Sequence, residues 1–215
     1  MAKRTNTGIR RRGCNDSARA VSRHARSLPM HPQLAALVSQ LDAATAHARQ
    51  LVAALDDATF HARSPRGGWS AAQCIAHLNL TTPAFFPSID AALASGRPGF
   101  ADSRRYRRGV LGALLAWSLE PPARLRFPTL PAFVPRSTGS KGAVLADFER
   151  FQRELANRIQ TASGLDLNEL RIRSVFNARV SYNVYAAFCI LAAHERRHLW
   201  QAERAARSLV AERGA

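Results

Sequence analysis

Residues 96 to 140 interrupt an otherwise helical chain with six prolines: Pro98, Pro121, Pro122, Pro128, Pro131 and Pro135. Proline lacks an amide hydrogen and locks φ, so no regular element can run through the stretch. One short helix fits within it, around Tyr106 to Leu119. Strong apolar periodicity stands on both sides. A connection of about 45 residues is far longer than the turn between two adjacent antiparallel helices; it suits a crossover carrying the chain from one end of a bundle to the other. The helices it joins should therefore run the same way.

Four main helices are expected around it. The first spans about Pro32 to Leu55, with Leu34, Leu37, Leu41, Ala44, Ala48 and Leu51 on one stripe and His47 on the opposite, solvated side. A break follows at Ser64-Pro65-Arg66-Gly67-Gly68. The second helix opens at Ser70, which forms an S-x-x-Q capping box with Gln73, and Trp69 precedes it in position to staple against Cys74. Pro83 should bend this helix before Gly96 ends it. The third spans about Lys141 to Ser163, closed by Gly164. A linker from Leu165 to Val180 shows no clear strand, and the fourth helix starts near Ser181 and runs beyond Leu209. The expected class is all-α: a four-helix bundle, up-down-down-up, with the long Pro-rich crossover between helices two and three.

With 215 residues the chain forms one domain with an extension. Its formal charge of +16 is unevenly placed: residues 1–29 carry eight Lys/Arg against the single acid Asp16. That segment has no apolar periodicity and no hydrophobic core of a secretory signal. It is expected to be a disordered basic tail, with Met30 a possible true start, and the bundle to occupy residues 30–213. Three cysteines, Cys14, Cys74 and Cys189, make no disulfide framework, and no apolar run reaches membrane-spanning length. A cytoplasmic protein is the simplest expectation, with no membrane partner. The arginines at 104, 105, 107 and 108 suggest a solvated face. Nucleic-acid binding through them and the tail ranks last, because no nucleic-acid motif accompanies them.

Chemistry is concentrated in His194-Glu195-Arg196-Arg197-His198 on the last helix. Two imidazoles at i and i+4 lie about 40° apart around the axis and roughly 6 Å along it, so both can face one ion. They fall on the stripe of Ala187, Ile190 and Leu191, which should face the core, where an unpartnered imidazole is costly. Up-down-down-up topology makes helices two and four antiparallel and brings His77 toward the pair. Three neutral imidazoles would leave open positions on a divalent metal, Zn²⁺ or Ni²⁺. The alternative is a set of ordinary hydrogen-bonded histidines. The stretch also matches H-E-x-x-H, the zinc-protease helix motif, but no third ligand follows it in the expected place. Cys74, three residues before His77, is more simply a small buried hydrophobe.

Trp69-Ser70 with His77-Leu78, the Pro-rich crossover with Pro128-x-x-Pro131-x-Phe133-x-Pro135, and His194 through Gln201 together make the chain resemble the DinB-like superfamily over about residues 31–212. The resemblance implies a divalent metal held by one histidine of helix two and an H-x-x-x-H pair of the last helix, which here are His77, His194 and His198. It also implies homodimers, and relatives that are thiol-dependent S-transferases and isomerases using a low-molecular-weight thiol, or metal-dependent hydrolases. The expected function is a metal-dependent enzyme that activates a thiol or water for a small-molecule substrate. Glu195 is a candidate proton acceptor, and Gln201 a candidate for orienting a ligand by hydrogen bonding. The other reading is a non-catalytic bundle in which the histidine site is structural and the protein acts as an interaction module.

Overall fold

The computed structural model describes residues 30–63, 67–99, 104–122, 125 and 128–213. The basic tail expected at residues 1–29 lies outside them. Four long helical rods form the body: α1 (Pro32–Ala54), α3 (Ala71–Ala84) continued by α4 (Phe86–Ala94), α6 (Lys141–Thr161) and α7 (Val184–Arg213). A short α2 (Asp57–His61) follows α1, and α5 (Gly109–Leu119) lies in the crossover. Both α1 and α3 pack on α6 and on α7.

Pairwise contacts set the helix directions. Along α1 and α6, His31 N donates to Ser163 Oγ (3.1 Å), Arg49 meets Glu149 (2.6 Å), and Lys141 Nζ donates to the Leu55 carbonyl (2.5 Å). Those two helices are antiparallel. Asn79 donates to the Val144 carbonyl and Asp90 accepts from Arg158, so the α3–α4 rod and α6 run parallel. Gln33 with Tyr185 and Gln40 with Arg196 make α1 and α7 parallel as well. The order is up, down, down, up, as a crossover between the second and third rods requires.

The N-terminus of α3 is closed by the expected capping box. Gln73 N donates to Ser70 Oγ and Ser70 N to Gln73 Oε1, each at 3.1 Å. The expected bend differs in detail. The helix continues through Pro83 and breaks at Phe85, and Pro87 lies in the first turn of α4. Pro87 has no N–H to offer the Pro83 carbonyl, so the second proline ends the ladder that the first only weakens.

A further departure is a short antiparallel hairpin in the linker: β1 (Arg171–Arg173) pairs with β2 (Ser181–Asn183), with Ile172 opposite Tyr182. Accordingly α7 begins at Val184, and the Asn183 side chain accepts from Ala186 N (2.8 Å). Three-residue strands are too short for alternation to reveal them. The hairpin and α5 both pack against α7. Gly112 makes the α5 contact possible, since a Cβ there would stand 2.5 Å from the Ala186 Cβ. None of the described helices is long and apolar enough to cross a membrane.

The core divides into two apolar clusters. One gathers Leu34, Leu37, Phe85, Ile89, Leu155 and Phe188; the other gathers Ala48, Phe60, Ile75, Leu78, Phe148 and Leu199. Between them lies a buried polar layer of His77, Thr81, Gln152, His194, Glu195 and His198. Polar groups sunk this deep are costly unless they find partners. The layer is where the chain spends stability on something other than packing.

Candidate metal centre

His77 comes from the middle of α3 and the other two imidazoles from one face of α7. Because α3 and α7 are antiparallel, the early part of one meets the later part of the other. The three rings each offer a nitrogen within 4.8 Å of the other two. His77 Nε2 lies 3.3 Å from His194 Nε2. Two nitrogens each about 2.1 Å from one tetrahedral ion would stand about 3.4 Å apart. The spacing is that of two ligands of a common ion.

The protonation pattern fits the same reading. His77 Nδ1 lies 2.7 Å from the Phe133 carbonyl, an acceptor only, so Nδ1 carries the hydrogen and Nε2 turns its lone pair to the centre. Burial holds all three imidazoles neutral. It lowers His77, drives His194 down to about 3 with smaller contributions from the neighbouring His77 and Arg197, and sets His198 well below its ordinary value. Gln201 lies against His198 and opposes that shift. Neutral imidazoles are the ligand form, so protons compete weakly with a metal here. The donor set therefore suits a divalent ion.

Trp69, just ahead of the α3 cap, covers the site. Its ring centroid is 4.9 Å from that of His77 and 5.9 Å from that of His198, nearly parallel to the latter. A cavity of about 990 Å³ opens onto the histidines. One side is lined by α7; the facing walls come from parts outside the four rods: Leu115 and Leu119 of α5, Leu130 of the crossover, and Phe176 and Tyr182 of the hairpin region. Arg197 ties these walls to α7 by donating to the carbonyls of Ser118 and Leu125.

The other sequence candidates fall as follows. Gln201 lines the cavity beside His198. Glu195 does not. Its side chain is fully buried in the bundle interior near Gln152, and burial lifts its carboxyl to about 7 against the opposing pull of Gln152 and Arg196. A zinc-protease mechanism needs that carboxylate at the metal water, and the fold directs it elsewhere. Cys74 is a buried free thiol outside the three-ligand cluster, its pKa pushed up to about 12 by burial. His47 is partly exposed and 4.0 Å from Glu203. Arg104 stands 3.6 Å from Asp166, and Arg105, Arg107 and Arg108 are exposed.

Sequence reasoning missed three contributors. The Phe133 carbonyl is a backbone group and leaves no residue signal beyond the prolines that shape its loop. Arg197 reads as a flank of the histidine stripe. The hairpin that walls the cavity is too short to be seen.

Comparison with known proteins agrees with the fold. The DinB superfamily model matches residues 40–202. No curated protein matches the chain. Among solved structures the fold is similar to YfiT from Bacillus subtilis, described as "a probable metal-dependent hydrolase with an unusual four-helix bundle topology"; the TM-score is 0.55 at 15% identity, covering 82% of this chain and 87% of that one. With its bundle and its three converging histidines in view, and with the family model spanning most of its length, the chain belongs to the DinB superfamily.

Proposed function

We propose that the protein is a metal-dependent enzyme in which His77, His194 and His198 hold a divalent ion, zinc or nickel, and a small molecule enters through the adjoining cavity. The observation that carries this reading is the convergence of three neutral imidazoles at a cavity large enough for a drug-sized ligand. A ligand set of three histidines leaves positions open, as catalytic sites do and closed structural sites do not. When bound, the metal supplies a Lewis acid that makes water or a thiol nucleophilic near neutral pH.

The protein's own residues perform the remaining tasks. Phe133 fixes the His77 tautomer through its carbonyl. Trp69 packs over two of the ligand rings and limits water from that side. Gln201 orients His198 from within the cavity. Glu195 is assigned no proton transfer, because its carboxyl lies away from the cavity. The fold shared with YfiT supports the hydrolytic branch, and a low-molecular-weight thiol is the competing nucleophile. A reducing cytoplasm suits the two described cysteines, both free thiols.

Metal quantification tests the centre. The wild-type protein is expected to carry about one equivalent of zinc or nickel, and the His77→Ala, His198→Ala double variant to carry none. Retention by the double variant would refute the assignment. Thiol-conjugation and ester-hydrolysis assays with and without a chelator then separate catalysis from support. A chelator that melts the fold while the loaded protein turns over no substrate would favour a structural metal.

A further inference from the structure

The charge inventory of the cavity is one-sided. Among the described residues that line it are Arg197 and Arg204, and no Asp or Glu. A divalent ion held by the three histidines would meet no carboxylate among the described lining residues. A lining with cationic and no acidic side chains among its described residues complements a ligand that carries negative charge.

Geometry places that charge along α7. Arg197, Gln201, Arg204 and Ser208 follow one another at i, i+4, i+7 and i+11, and all four line the cavity on a stripe beside the histidine stripe. Arg197 lies deep and spends its guanidinium on the carbonyls of Ser118 and Leu125. Arg204 is exposed at the mouth, its guanidinium 4.8 Å from the Trp200 ring centroid. Stacking on an aromatic face leaves the edges of a planar guanidinium able to grip an oxyanion with two parallel hydrogen bonds. Arg204 follows His198 by six residues, roughly 9 Å along the helix. Much of the rest of the cavity lining is apolar, with Leu115, Leu119, Leu130 and Phe176.

We propose that the cavity binds a small oxyanion-bearing molecule with an apolar body, its carboxylate or phosphate held by Arg204 at the mouth and its reactive end delivered to the three histidines. This substrate class rests on the metal-enzyme reading for the identity of its reacting end. The anchoring by Arg204 does not. A six-carbon probe is of the same order of length as the roughly 9 Å rise between His198 and Arg204.

Calorimetric titration with matched probes tests this. Zinc-loaded protein is titrated with mercaptohexanoate and with mercaptohexanol, which share thiol and chain length and differ in the terminal group, an anionic carboxylate against a neutral hydroxyl. The carboxylate is expected to bind about tenfold more tightly at low salt, the size of one charge-assisted hydrogen-bonded contact. Arg204→Ala should abolish that preference while leaving the zinc content unchanged, and Arg204→Lys should restore part of it. High salt should shrink it, since the anchor is exposed. Hexanoate and hexyl phosphate, titrated side by side, decide between the two anions. Equal affinity of the wild type for the charged and neutral probes, or a preference that survives Arg204→Ala, would overturn the proposal. The same comparison of hexanoate with hexanol on chelator-treated protein separates the two readings. An Arg204-dependent preference in a protein that loads no metal keeps the anion site and refutes the metal centre. Zinc loading without any preference does the reverse.

Discussion

Buried imidazoles and a buried carboxyl in one layer make opposite demands on pH, and the difference can be measured. In the metal-free protein, His194 is held at about 3 and His198 well below its ordinary 6.5. Their folded values are depressed, so unfolding takes up protons below pH 6.5, and the stability they permit is lost as pH falls from 6.5 toward those values. At pH 5.5 each imidazole that must stay neutral costs about 1.4 kcal/mol, or about 3 kcal/mol for the pair. Glu195 works the other way. Its folded value is raised from 4.5 to about 7, so its protonated form favours the folded state, fully below pH 4.5 and not above pH 7. Between pH 7.5 and 5.5 that carboxyl returns about 2 kcal/mol. In the wild-type apoprotein these three groups together should cost only about 1 kcal/mol over this range, because the two effects nearly offset. Glu195→Gln removes the opposing contribution. The variant should match or exceed wild-type stability at pH 7.5 and then lose about 3 kcal/mol by pH 5.5 through His194 and His198, with His77 adding to the loss in the same direction. Urea denaturation followed by circular dichroism, in the presence of a chelator, reads both slopes. A variant whose acid slope equals that of the wild type, or is shallower, would refute the assignment of a buried, proton-holding carboxyl to residue 195.

Ser70→Ala removes one half of the capping box and should cost about 1 kcal/mol, seen as a lower urea midpoint with an unchanged slope. Gly112→Val places side-chain atoms where a Cβ alone already meets the Ala186 Cβ at 2.5 Å; α5 must move off α7, with a loss of about 1–3 kcal/mol in the same assay. Trp69→Ala uncovers His77 and His198 and should weaken zinc affinity by about tenfold or more in a competition titration with a chromophoric chelator, while His47→Ala should leave it unchanged.

The features legible in the sequence were those with a period or a local signal. Leucine and alanine spacing marks α1 to within one residue at its C-terminus, because a buried stripe repeats over six turns. Ser70 and Gln73 mark the start of α3 because capping is satisfied within four residues. The direction of the rods was legible only through the length of the proline-rich segment, a topological argument. What stayed hidden was non-local or short. The hairpin at Arg171–Arg173 and Ser181–Asn183 is stabilised by its contact with α4, α5 and α7, not by its own pattern. Glu195 illustrates a different limit: the spacing of H-E-x-x-H puts a carboxylate between two ligands in sequence, and only the tertiary fold, which sets Gln152 of α6 beside it, decides where it points.

The crossover has a consequence for the site itself. Had α3 and α6 been joined by a tight turn, they would run antiparallel, and no chain would pass over the open side of His77. Running parallel, they need a strand of chain that travels the length of the bundle, and that chain carries Phe133 to within 2.7 Å of His77 Nδ1 and Leu130 to the cavity wall. The same path seats α5 on α7 and supplies the Ser118 carbonyl to Arg197. The topology thus provides the backbone acceptor that selects the His77 tautomer and the walls that separate the histidines from bulk water. The proline-rich segment is therefore part of the site's construction, and it explains why a bundle of otherwise ordinary packing holds three neutral imidazoles in its centre.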